Sequence, residues 1–504
     1  MILVTSLLWM GAASANGGIV TDGSLGHPST VFSLGMGGPE QVVIPQSAGQ
    51  TSGHNLFQSF SNFNISKGQT VTFAEDQKGF VDNVIARVTG KETSSINGTL
   101  RVTPEGHANF YLLNPHGVIF GNGAQIDVPG DFHVTTAHFL KFQDGAKYSA
   151  DPVHSQLSAS NPSAFGFAAS DHNNNVLIGV SDGAKLTTNN PNTAIDLVGA
   201  NIKVEHSGSI NALAPGSEVR VIAANSGKDV SLIKDFNGYL PLPVTAPQKN
   251  IAGSVDIREG GAINTASMGQ NRIGGWSYSL GLSEQAQIYS GSLGDQDAIA
   301  VDGIHWMAHQ ISMADGAHGG SSIFSNNLGA GVGRPIDLTS IKAFSLVNNS
   351  TGRTATGVKS VSQSSGDSGS IHIVSGAIDM RGSDIENQAY IGSLAMSRGN
   401  SGRVDVESKG EILLRHDATI STKTTGNSFA GDLSIRAGRV LAIQDRSIIE
   451  SIADNQEDKS GSTGNVSIRA ESLNIRFNRQ VEEHLFTGIF NENRNDSGHS
   501  GDVN

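Results

Sequence analysis

Several residue patterns in the chain are of a kind that does chemistry. Asp379, Asp384 and Glu386 form the densest carboxylate group, and carboxylates converging in a cleft are what acid/base cleavage of a polysaccharide needs. His305 and His309 stand four apart, but they lack the intervening Glu of a His-Glu-x-x-His zinc helix and lie among glycine-rich β patterns. Asp367, Asp432 and Asp502 recur near glycines without the Gly-Gly-x-Gly-x-Asp spacing of a calcium solenoid. Gly316-Ala317-His318-Gly319-Gly320 has no Lys-Ser/Thr to complete a phosphate loop. Each pattern has a plainer reading as solvated corners, loop histidines or turns. The carboxylates fall in repeat corners where similar residues return in other units, whereas an active site is normally singular. The expectation is no catalytic residue, no metal ligand and no cofactor; a secreted β-helix polysaccharide lyase or hydrolase is the alternative. The more specific pattern is Leu112-Leu113-Asn114-Pro115-His116-Gly117-Val118-Ile119-Phe120. An apolar strand ends in an Asn-Pro turn, Gly117 can take the positive φ that closes it, and a second apolar strand begins at Val118.

The elements that must position such corners are repetitive. Ser368-Gly369-Ser370-Ile371-His372-Ile373 returns as Ser401-Gly402-Arg403-Val404-Asp405-Val406, and again at Gly431, Gly464 and Gly501, with the glycines 33, 29, 33 and 37 residues apart. Earlier copies at Gly216 and Gly253 are 37 apart. Each copy is a small turn followed by apolar-polar alternation, the period of a strand with one face inward. Second and third strands follow, as in Ile412-Leu413-Leu414 and Ala418-Thr419-Ile420-Ser421-Thr422. Such periods without heptads indicate a solenoid. The expected fold is all-β, a right-handed parallel β-helix, in which stacking satisfies the backbone groups that one coil cannot satisfy alone. Coils of about 25 residues would give about 20 coils and a rod on the order of 100 Å long. Leu240-Pro241-Leu242-Pro243-Val244-Thr245-Ala246-Pro247 reads as a loop off the rod, since proline cannot donate to a central ladder. The bulky run Gly303-Ile304-His305-Trp306-Met307-Ala308-His309-Gln310 reads as an insertion or a widened coil.

Composition agrees with this. Glycine supplies 62 of 504 residues, about 12% against roughly 7% typically, and charged residues only 16% against roughly 25%. The net charge of −13 argues against nucleic acid as a partner, which would call for a basic stripe. Without cysteine the chain has neither disulfides nor thiolate metal sites. Residues 1–15 are apolar and end in Ala13-Ser14-Ala15, the small-x-small form of a signal-peptidase site, although no basic residue precedes them. No other stretch approaches the ~20 apolar residues of a transmembrane segment.

The Asn114 corner, in its context, resembles the Asn-Pro-Asn-Gly-Ile signature of the secretion domain of filamentous-haemagglutinin-like exoproteins. Asn55-Leu56-Phe57-Gln58-Ser59-Phe60, Asn83-Val84-Ile85-Ala86-Arg87-Val88, Ile96-Asn97-Gly98-Thr99-Leu100, Ala108-Asn109-Phe110-Tyr111 and Phe132-His133-Val134-Thr135-Thr136 stand in the family's order, so the resemblance covers roughly residues 19–142. His116 occupies a position where the family usually has Asn, and the second signature, Asn-Pro-Asn-Leu, is missing. The exchange is expected to be tolerated because both residues enter left-handed conformations readily. The resemblance implies an adhesin or haemagglutinin-like exoprotein of a Gram-negative bacterium, reaching the cell surface or medium through the periplasm and a dedicated outer-membrane two-partner-secretion transporter. A host receptor or glycan would be the second partner. It implies transporter recognition or a structural corner at Asn114, Pro115, His116, Gly117 and Val118, with Asn55, Leu56, Phe57 and Phe60 as a second motif. The implied organisation is a signal peptide at 1–15, a secretion domain forming the first coils at 16–150 and a repetitive rod at 151–504. The last repeat is expected to be truncated at its C-terminal end.

Overall fold

The computed structural model describes residues 18–33, 40–76, 79–103, 106–168, 176–299, 301–315, 320–350, 355–454, 461–476, 486–495 and 498–504. The segment read as a signal peptide and residues 316–319 of the Gly-rich stretch lie outside them. The described chain winds as a parallel β-helix with three faces. One coil shows the path: Asn83–Val88 lies on the first face, Ser94–Ile96 on the second and Thr99–Val102 on the third, and Asn109–Leu113 returns to the first. Each strand pairs in parallel with its counterparts in the coils below and above, as Asn55–Phe63, Asn83–Val88, Asn109–Leu113 and Phe132–Thr135 do on the first face.

The third face is a single sheet of 14 strands from Gln41–Ile44 to Gly488–Asn493. At roughly 4.8 Å per step this is a rod of about 60 Å, shorter than the coil count expected from the sequence. Most coils are longer than 25 residues, and two of them carry excursions that leave the helix. The first excursion supplies Phe139–Phe142, Lys147–Ser149 and Pro162–Gly166, and the second supplies Asp229–Ser231; together they form a four-stranded antiparallel sheet. It covers the first face and encloses a second apolar cluster that includes Phe57, Tyr148, Phe165 and Trp276.

Period-2 alternation builds the main core. In Ile371–Ser375 the side chains of Ile371 and Ile373 point inward while His372 is exposed, and one contiguous apolar cluster runs from Ile19 to Val466. On the first face, the outer edge of Asn55–Phe63 is paired antiparallel with Ile19–Thr21 at its Phe60–Phe63 end and with Gln50–Ser52 at its Asn55–Phe57 end, which covers the ladder over those residues.

The repeat glycines are explained by close approach of coils. A Cβ on Gly402 would meet the carbonyl of Gly369, one on Gly431 that of Gly402, and one on Gly464 that of Gly431. None of these four has a positive φ, so contact between stacked corners selects glycine at this point. The bulky run at 303 is not itself an insertion, although its coil is longer than the one before: Gln287 pairs with Ser322, 35 residues on, where Ala262 pairs with Gln287, 25 residues on. Gly303–Asp315 is a strand that turns from the first face to the second, with a register shift against Ile336–Asn348 between Ala308 and Gln310, and Trp306 is buried in the space left by Gly275 of the preceding coil. The proline-dense segment at 240 does leave the rod as a loop, and it packs back with Leu240 buried.

Candidate functional site

The corner at Asn114 joins the first face to the second. Leu112 faces the core and Leu113 the outer cluster. At Asn114 the backbone turns: its carbonyl accepts from Gly117 N at 3.0 Å, closing a β-turn with Pro115 at the second position. The Asn114 side chain is fully buried and holds the turn from inside. Its Oδ1 accepts from His116 N at 2.9 Å, and its Nδ2 donates to Glu92 O at 3.1 Å and to Ser94 Oγ at 3.0 Å in the preceding coil. Gly117 takes φ 106°, and a Cβ there would lie 2.8 Å from Leu177 O. Val118 is part of the main core. Pro115 is half-buried and the His116 side chain exposed. His116 does not adopt a positive φ, so the position accepts His because its side chain is in solvent, and a left-handed backbone is not the reason.

The second motif also points inward. Leu56 and Phe60 enter the main core, while Phe57 packs between Tyr148 and Phe142 of the covering sheet, with ring centroids 4.8 Å and 5.8 Å away. Asn55 begins a ladder. Asn83 Nδ2 donates to Asn55 Oδ1 at 2.8 Å, Asn109 Nδ2 to Asn83 Oδ1 at 3.0 Å, and Asp131 N to Asn109 Oδ1 at 2.8 Å. Asn55 Nδ2 in turn donates to Ser158 O and Ser160 O, tying the first coil to the excursion. A groove of about 370 Å³ runs between this ladder and Gln143, Asn161 and Lys234 of the excursions.

Two buried charge clusters were not read from the sequence. Arg87, 1% exposed, donates to Ser59, Ser24, Ser155 and the carbonyl of Ser149, and lies 4.3 Å from the Tyr148 ring centre. Those contacts join the first coils to the covering sheet. Asp22 lies in the same network: burial pushes its carboxyl up, but hydrogen bonds from Ser59, Ser24 and Thr89 outweigh this and hold it below the usual range. Farther along, Asp196 is clasped by Arg220 at 2.8 Å and by His133 Nδ1 at 2.9 Å. Burial again opposes ionisation there, and the Arg220 charge together with the His133 hydrogen bond lowers the carboxyl below its ordinary value. Glu218 shows the opposite balance. Its burial dominates over Arg272 and a hydrogen bond from Leu240 N, and its carboxyl is raised to about 7.

The residues weighed for chemistry are dispersed into structural roles. Asp379 stands within the strand Ile378–Arg381 and not in a corner, facing Arg415 at 2.6 Å. Asp384 accepts from Glu386 N and Asn387 N in a turn, and the Glu386 side chain is exposed. His305 pairs with Asp337 at 3.0 Å, and the His309 ring stacks on Tyr278 at 4.6 Å. Asp367 and Asp432 each accept from the backbone of the next coil, at Asn400 N and Asn465 N.

The TPS secretion domain family matches residues 18–323. The chain belongs to that family. Its secretion domain marks a protein exported across the outer membrane by two-partner secretion, with an outer-membrane transporter as partner. The match takes in the Asn114 corner, the asparagine ladder and both excursions, and continues past residue 150. Among solved structures, the HMW1 secretion domain of Haemophilus influenzae is 14% identical, with a TM-score of 0.38 over 87% of this chain and 95% of that one. No curated protein matches the chain. Among the described residues no helix is long and apolar enough to cross a membrane.

Proposed function

We propose that the chain is a surface adhesin of the filamentous-haemagglutinin type, delivered through the periplasm to its transporter and folded outside from the secretion domain onward. The observation that carries this reading is continuity: the core of the secretion domain runs without a break into the later coils. Each coil added to a folded template buries apolar surface and completes a ladder, which gives export a direction without ATP. The role of the motif divides by exposure. Asn114, Gly117 and Val118 are internal and serve the corner, so transporter recognition through this motif falls to Pro115 and His116 at the surface. Asn55, Leu56, Phe57 and Phe60 serve packing between the first coil and the covering sheet. That sheet ties the first coils to Asp229–Ser231, and this supports placing the end of the functional secretion unit beyond that strand and not at residue 150.

The test is adherence. Purified chain coated on beads should bind host epithelial cells, and soluble chain should compete for that binding. Folded chain that neither binds nor competes, but degrades a polymeric uronate, would replace the adhesin reading with that of a lyase.

A further inference from the structure

Near the last described coils the third face carries a cavity of about 500 Å³. Glu450 lies in its wall, next to Phe490 in the pairing register. Phe486, 71% exposed, meets Phe490 edge to face with ring centroids 6.2 Å apart. Two ion pairs form the rim: Arg446 Nε donates to Asp417 Oδ1 at 2.9 Å, and Arg494 Nη2 to Glu492 Oε2 at 2.9 Å.

The charges in this wall do not balance. Asp417, Glu450 and Glu492 bring three carboxylates against the two guanidiniums of Arg446 and Arg494. Both guanidiniums are already engaged, Arg494 also facing Asp454 at 3.6 Å. Among the described residues, Glu450 receives one hydrogen bond, from the Ser421 hydroxyl at 3.1 Å. Lys423 stands nearby but faces Asp454 at 3.9 Å. Burial pushes the Glu450 carboxyl up, and the Ser421 hydroxyl together with the Lys423 and Arg494 charges offset this only in part. A carboxylate beside two phenyl rings is what an organic ammonium group seeks, since the ring faces attract a cation and the carboxylate neutralises it.

We propose that this cavity binds an amino sugar bearing a free amino group, with the ammonium on Glu450 and the sugar ring against Phe486 and Phe490. The two rim pairs favour a sugar over a simple alkylammonium, because guanidinium N–H donors and carboxylate oxygens not used within the pairs can hydrogen-bond ring hydroxyls. The site gives the adhesin reading a ligand class and rests on that reading for its biological setting. Binding to purified chain is measured without cells, so failure here leaves the adherence test standing.

The experiment is calorimetric titration of the full chain at pH 7 with three probes: a glucosamine trisaccharide, its fully N-acetylated counterpart and trilysine. The free amine is expected to bind, and the acetylated sugar and trilysine to bind at least about tenfold more weakly. Glu450→Gln and Phe486→Ser should each weaken binding of the free amine by about tenfold; Phe486→Ser should leave thermal melting unchanged because Phe486 is exposed, and Glu450→Gln should not lower it because burial disfavours the carboxylate it removes. Absence of binding, equal binding of the acetylated sugar, trilysine binding as tightly, or indifference to both substitutions would overturn the proposal.

Discussion

Replacing Asn114 with alanine removes three side-chain hydrogen bonds from a fully buried corner: those to Glu92 O and Ser94 Oγ, and that from His116 N. A net loss of roughly 1 kcal/mol per bond, with the buried Ser94 hydroxyl left to find another partner, gives a destabilisation of about 2–4 kcal/mol. Asn114→Asp keeps an acceptor for His116 N but loses both donated bonds and buries a charge, so it should cost at least as much as alanine. His116→Ala removes an exposed side chain and should stay within about 0.5 kcal/mol of the parent. Urea titration of the full chain followed by circular dichroism measures all three, and secretion with a co-expressed transporter is read in parallel. The structural role assigned to Asn114 predicts lost stability for Asn114→Ala and Asn114→Asp. It would be refuted by an Asn114→Ala protein as stable as the parent but not exported, which would make Asn114 a recognition residue.

Three other outcomes are expected. Gly402→Ala should destabilise the rod by about 1–3 kcal/mol, measured by urea titration, because the added methyl meets the Gly369 carbonyl and backbone cannot yield cheaply. Glu218, raised from 4.5 to about 7 by burial, binds its proton more tightly folded than unfolded. Its contribution to stability is therefore full below about pH 4.5 and is lost as pH rises through about 7. Glu218→Gln should gain up to ~3 kcal/mol on the parent at pH 8 and little near pH 4.5; equal gains at both pH values would contradict the shift. Asn83→Ala cuts the ladder on both sides, at Asn55 and Asn109, and should cost about 1–3 kcal/mol and speed proteolysis of the first coils.

Much of the solenoid was legible because its physics is periodic. The alternation in Ile371-His372-Ile373 and the spaced glycines identify strands and corners directly, and the reason for glycine at 369, 402, 431 and 464 appears once the coils are stacked. The turn at Asn114 was legible too, since Asn-Pro followed by Gly117 specifies its geometry locally. The covering sheet was not, because Phe139–Phe142 and Asp229–Ser231 are brought together across 88 residues by contacts with no period; Lys141 reaches Asp229 over that separation. Arg87 was missed for the same reason, as its partners come from Ser24, Ser59, Ser149 and Ser155. The asparagine ladder did leave a signal: Asn55, Asn83 and Asn109 are 28 and 26 residues apart, about one coil, and each opens a strand of the first face. The bulk of Trp306 has the look of an interruption in the sequence because the glycine that accommodates it lies 31 residues earlier, one coil away.

The most direct measurement is secretion of the full chain from a Gram-negative host, with and without its outer-membrane transporter. Export by two-partner secretion gives chain in the medium only when the transporter is present, with proteolytic protection of the first coils after release. Release without the transporter, or folded chain retained in the periplasm beside a functional one, would contradict it.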